Sequence, residues 1–92
     1  MCGITGIIGR VDKGDLKTMT DTLEHRGPDG DGFWINDNSD VGFGHRRLSI
    51  IELSDKGSQP MQIDNNNYVI TFNGEIYNYI ELRKELESLG IV

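Results

Sequence analysis

Eleven isoleucines, twelve glycines and no alanine set the tightest limit on what this chain can fold into. Alanine is the residue a helix accommodates best, whereas β-branched side chains suit a pleated surface, so the balance favours strands over long helices. The glycines, about twice the usual share, call for tight turns and for places where backbone approaches a neighbour closely. Leu, Ile, Val and Phe together number 25 of 92 residues, too many for a chain that stays disordered. The length suits one small domain, and a chain of this size buries only on the order of 60–65% of its surface, which makes an autonomous core marginal.

Charge and cysteine use exclude several functions. The net charge of −6, with nine scattered Lys and Arg, argues against nucleic acid as a partner, because a phosphate-binding surface needs clustered cations. A single cysteine forms no internal disulfide, which fits a reducing compartment. No apolar run reaches the roughly 18 residues of a membrane span, and the N-terminus lacks the features of a signal peptide. The composition therefore reads as cytoplasmic, with no membrane partner, and a homo-oligomer is compatible with it.

Gly3 to Gly9 reads as a buried strand, with Ile4, Ile7 and Ile8 set between glycines. Asp15 is placed to cap a short helix carrying Leu16, Met19 and Leu23 at helical spacing. His25 to Gly32 reads as a long turn or loop. Phe33 to Ile35 and Val41 to Ile51 read as strands around the polar turn Asn36 to Asp40. A loop over Ser54 to Met61, a turn at Asp64 to Asn67 and a strand from Tyr68 to Asn73 follow. Asn78 with Glu81 resembles a capping box, Tyr79, Leu82, Leu86 and Leu89 form one stripe, and Gly90 stops the helix. Ile91 and Val92 resemble the opening of a further strand, so the segment reads as cut from something longer.

Four pieces carry potential chemistry. Cys2 becomes the N-terminal residue once Met1 is removed, and its thiol would then have its own α-amine, with a reference pKa near 7.7–8.0, as proton acceptor. The plain alternative is a small buried thiol. His45-Arg46-Arg47-Leu48-Ser49 ends an apolar strand, and a guanidinium there suits a carboxylate; a solvated strand end is the alternative. Asn73-Gly74 offers a side-chain amide and a backbone N–H that can converge on one oxygen, as in an oxyanion hole, or it is an ordinary turn. Arg26-Gly27-Pro28-Asp29-Gly30 is the fourth, with a rigid surface loop as its alternative. Nothing in the spacing of His25 and His45 supplies a metal site.

These stretches, MCGITGIIG, HRGPDGDGFW, FGHRRLSIIELSDKGSQPM and FNGEIYNYIELRKELESLG, run in order along nearly the whole chain. In them it resembles the N-terminal part of a class II glutamine amidotransferase domain, and most of all the glutamine-hydrolysing asparagine synthetases. The resemblance implies an α+β, N-terminal-nucleophile hydrolase fold, a four-layer α-β-β-α sandwich of antiparallel sheets, of which residues 1–92 would be a truncated portion. It implies that Cys2 attacks the side-chain amide of L-glutamine and that Asn73 and Gly74 form the oxyanion hole. Arg47 would hold the substrate α-carboxylate, and Leu48, Ser49, Ile50 and Ile51 would line the pocket. Glu75 would hold the α-amino group. Arg46 falls where the family varies and receives no role. ATP and Mg would belong to a synthetase domain outside this segment, and that domain or a complementing chain would be its partner. The other class of reading is a non-catalytic binding or interaction module.

Overall fold

The computed structural model describes residues 2–49, 57–65 and 67–91. Among the described residues it is a small α+β arrangement of seven elements in the order β1 (Gly3–Ile8), α1 (Lys13–Asp21), β2 (Gly30–Ile35), β3 (Val41–Arg47), β4 (Met61–Ile63), β5 (Tyr68–Ile70) and α2 (Tyr79–Ser88). The first three strands form an antiparallel sheet ordered β1-β3-β2, and β4 with β5 forms a separate antiparallel hairpin.

Strand β3 is central, and its alternation divides the molecule into two faces. On one face Gly42 and Gly44 leave room for α1. A Cβ on Gly42 would stand 2.8 Å from Val11 and 3.3 Å from Leu16. Val11 and Leu16 are the buried apolar core, and Thr20 is fully buried beside them. The Thr20 hydroxyl donates to the Leu16 carbonyl at 2.7 Å, so the Thr5 hydroxyl, 2.8 Å away, donates to Thr20. Every buried hydroxyl there is satisfied, as a tight polar seam requires.

The opposite face carries Phe43, His45 and Arg47. Trp34, the β2 partner of Phe43, stacks on it in a tilted arrangement with ring centroids 5.5 Å apart. Ile4, the β1 partner of His45, stays 46% exposed, and Ile8 stays 87% exposed. Strand β1 is thus half open, not the buried strand its isoleucines suggest. Only its Gly3 and Thr5 side meets a helix.

Several boundaries differ from the sequence reading. The α1 cap is Asp12, whose carboxylate accepts from the Asp15 N–H at 3.1 Å, while Asp15 lies in the first turn. The buried α1 stripe is Leu16 with Thr20, because Met19 turns to solvent. Strand β2 begins at Gly30, three residues early, since Gly30, Asp31 and Gly32 pair with Arg47, Arg46 and His45. Strand β4 extends past the expected loop, formed by its pairing with β5, and β5 stops at Ile70. Strand β3 ends at Arg47, short of the expected Leu48 and Ser49; the expected Ile50 and Ile51 lie outside the described residues, as do 54–56 of the expected loop.

The turn between β2 and β3 forms as expected. The Asn36 side-chain carbonyl accepts from the N–H groups of Asp40 and Val41 at 2.9 and 3.0 Å. Helix α2 also appears, but Asn78 makes no side-chain capping bond. Its end follows the glycine rule closely. Gly90 adopts φ 80°, its N–H donates to Glu87, and the Ile91 N–H reaches back to the Leu86 carbonyl at 2.9 Å. The apolar stripe of α2 is exposed, and α2 packs against no other described element.

Candidate active site

Cys2 stands one residue before the Gly3–Arg46 pair, which brings it beside Arg47 on the face opposite α1. Its half-buried Sγ lies 3.3 Å from the Leu48 N–H, which donates to it, and 3.7 Å from the Leu48 carbonyl. The Arg26 Nε–H donates to the Cys2 carbonyl at 3.1 Å. The backbone of Cys2 is therefore tied to the Arg26–Gly30 turn, and its sulfur to the residue after Arg47.

Arg47 lines a pocket of about 230 Å³. Asp29, Gly30 and Asp31 form one wall, His45 and Arg47 another, and Ser58 with Gln59 a third. The pocket is smaller than the roughly 300–1,000 Å³ of drug-sized sites and offers both signs of charge, which suits a small zwitterion. An Arg47 Nη1–H points to the Ser58 hydroxyl at 3.5 Å. Asp29 closes the turn from below: its N–H donates to the Arg47 carbonyl at 2.9 Å, and its carboxylate accepts from the Ser49 N–H at 2.7 Å.

His45 is almost fully buried, and its Nε2 has no hydrogen-bond partner among the described residues. Burial pushes its imidazole below the ordinary value of 6.5; the Phe72 backbone pulls the other way, and the Arg47 charge lowers it further. The fold therefore favours the neutral imidazole. Below pH 6.5 the unfolded chain takes up a proton that the folded chain refuses, so stability is full above 6.5 and falls as pH drops toward the folded value. Urea titrations at pH 7.5 and 5.5 should show a smaller acid loss in His45→Gln than in the unsubstituted chain. Equal losses in both would remove His45 from the acid response.

The remaining expected residues lie elsewhere. Asn73 is half-buried next to Phe72, while Gly74 and Glu75 are exposed and line a second pocket, of about 400 Å³, with Ile76, Tyr77, Tyr79 and Arg83. Among the described residues, no hydrogen bond joins Cys2 to Asn73, Gly74 or Glu75. Cys2, Arg47, Leu48 and Ser49 are thus brought together, while the Asn73–Glu75 turn follows Phe72, whose N–H donates at 2.5 Å to the side-chain carbonyl of Gln59 in the Arg47 pocket. Ile50 and Ile51 lie outside the described residues. Sequence reading gave Arg26 and Asp29 no individual role; the turn residues around them were the only signal.

Comparison with known proteins identifies the family. The family model of the glutamine amidotransferase domain matches residues 1–91. Asparagine synthetase [glutamine-hydrolyzing] 1 of Bacillus subtilis (strain 168) is 47% identical over 98% of this chain and 15% of its own length. Putative asparagine synthetase [glutamine-hydrolyzing] 2 of Methanocaldococcus jannaschii is 40% identical over 92% of this chain and 20% of its own. Amidase chry2 of Gibberella zeae is 40% identical over 94% of this chain and 15% of its own. No solved structure shows significant similarity. The chain belongs to the glutamine amidotransferase domain family. It spans between 15% and 20% of the length of these three relatives. Among the described residues, no helix is long and apolar enough to cross a membrane.

Proposed function

We propose that this chain carries the glutamine-hydrolysing site of an asparagine synthetase-like amidotransferase, within an N-terminal-nucleophile hydrolase fold. The observation that carries the reading is the seating of Cys2 Sγ on the Leu48 N–H, beside Arg47 and its charged pocket. With Met1 removed, the Cys2 thiol loses its proton to the α-amine and attacks the side-chain amide carbon of glutamine. Asn73 and the Gly74 N–H receive the tetrahedral oxyanion. The carbon–nitrogen bond breaks, the α-ammonium returns the proton to the leaving nitrogen, and ammonia departs. Water then hydrolyses the thioester to glutamate and frees the thiol.

Arg47 holds the substrate α-carboxylate through its planar fork, and Glu75 offers an anion to the α-ammonium. Leu48 and Ser49, the residues after Arg47, are assigned to substrate contact, and Ile50 and Ile51 by the family resemblance alone. Ammonia passes to an activated carboxylate such as aspartate in a synthetase domain outside this segment, where ATP and magnesium belong.

Reaction with a chloroketone derived from glutamine, followed by peptide mass mapping, tests the site. The expected product is one adduct at Cys2, prevented by excess glutamine. A folded, Met-processed chain that is not labelled there would sink the reading. The exposed stripe Tyr79, Leu82, Leu86 and Leu89 favours a second reading, a non-catalytic interaction module. Light scattering separates the two, since a monomeric chain that takes the label is not that module.

A further inference from the structure

We infer that Arg46 is a positioning residue for this site, latching residues 24–31 against the back of β3 so that they hold Cys2, Arg47 and Ser49 in register. The inference rests on the glutamine site proposed above. Arg46 lies on the α1 face of the sheet, away from the pocket, and is only 8% exposed. Each edge of its guanidinium meets the same segment. Nε–H donates to the Gly27 carbonyl at 2.9 Å, one terminal nitrogen is 3.6 Å from the Asp31 carboxylate, and the other is 3.9 Å from Glu24.

The two ion pairs are long and their carboxylates largely exposed, so they contribute little. The bond to Gly27 is the decisive one, because a nearly buried cation needs a close partner. It fixes a segment whose backbone already lies on the strand, where a Cβ on Gly27 would stand 2.6 Å from the Arg47 nitrogen. From that segment three bonds run forward to the site. Arg26 holds the Cys2 carbonyl at 3.1 Å, the Asp29 N–H holds the Arg47 carbonyl at 2.9 Å, and the Asp29 carboxylate holds the Ser49 N–H at 2.7 Å. The segment is a bracket across the sheet edge, with the latch on one side and the reacting residues on the other.

Lysine keeps the charge and the stem but cannot span Glu24, Gly27 and Asp31 together. Methionine keeps only the stem. The test compares the Met-processed chain with its Arg46→Lys and Arg46→Met variants, each treated with the glutamine-derived chloroketone and, separately, with iodoacetamide. For Arg46→Met the half-saturating chloroketone concentration should rise about tenfold or more, with iodoacetamide labelling within about threefold of the parent. Arg46→Lys should fall between. Amide exchange at Asp29 and Ser49 should accelerate about tenfold, while the β1–β3 ladder keeps its protection.

An unchanged half-saturating concentration in a folded variant overturns the latch, as does an equal slowing with both reagents. If Arg46→Met does not fold, Arg46→Lys is judged by the same criteria. A parent chain that shows no saturation with the chloroketone defeats the glutamine reading instead. The latch is then decided by exchange at Asp29 and Ser49, where unchanged rates in either folded variant overturn it.

Discussion

Cys2→Ser should lower glutamine hydrolysis by roughly 10⁴-fold or more and abolish chloroketone labelling, while leaving the urea midpoint close to that of the parent chain. Oxygen replaces sulfur in nearly the same volume, and the hydroxyl can still accept from the Leu48 N–H, which now lies 3.3 Å from Sγ. The Arg26 bond is to the Cys2 carbonyl and is untouched. What changes is the nucleophile. A thiolate forms more readily than an alkoxide and is the stronger nucleophile, so the same α-amine activates a serine hydroxyl far less effectively. Glutamate release by coupled assay measures the loss, and a serine variant with appreciable hydrolysis would remove Cys2 from the chemistry. Loss of activity together with a collapsed midpoint would mark the thiol as a packing element instead.

The second large effect is on the fold. Gly44→Ala should destabilise the chain by about 3 kcal/mol, the upper end of the usual overpacking cost. The added methyl would run into the hydroxyls of Thr5 and Thr20, which already bond to each other at 2.8 Å with Thr20 fully buried. The helix cannot move away without uncovering Leu16, and the central strand cannot move without straining both ladders. Against a total stability of about 5–15 kcal/mol for an ordinary domain, that loss is severe. Gly30→Ala is the control, because a Cβ there meets nothing within 4 Å, and its midpoint should stay within about 0.5 kcal/mol of the parent. Equal midpoints for the two variants would mean that α1 does not rest on β3 as described.

Local sequence is a sufficient guide at two other places. The polar run Asn36 to Asp40 becomes a turn because Asn36 satisfies the next backbone donors itself. Gly90 ends α2 because its φ of 80° costs a residue without Cβ almost nothing. Both outcomes depend on residues within a few positions of one another. The α1 cap is less determinate, since Asp12 and Asp15 both precede apolar periodicity and only the backbone path selects Asp12. Strand β4 is beyond local reach, because Met-Gln-Ile has little pattern of its own and pairs only where β5 arrives.

The same division runs through the site. By itself the sequence determined which groups are available: a thiol at position 2, guanidinium at 46 and 47, and an Asn-Gly pair at 73–74, each legible because chemistry follows residue type. The family resemblance rests on the ordered stretches that contain them, and the family match covers residues 1–91. Only the tertiary structure decided which of these meet. Cys2 and Leu48 are 46 residues apart yet share a hydrogen bond, because antiparallel pairing of Gly3 with Arg46 is a long-range event. The strand's two-residue period then sends Arg47 to the pocket and Arg46 to the opposite face, giving adjacent, chemically equivalent side chains different work.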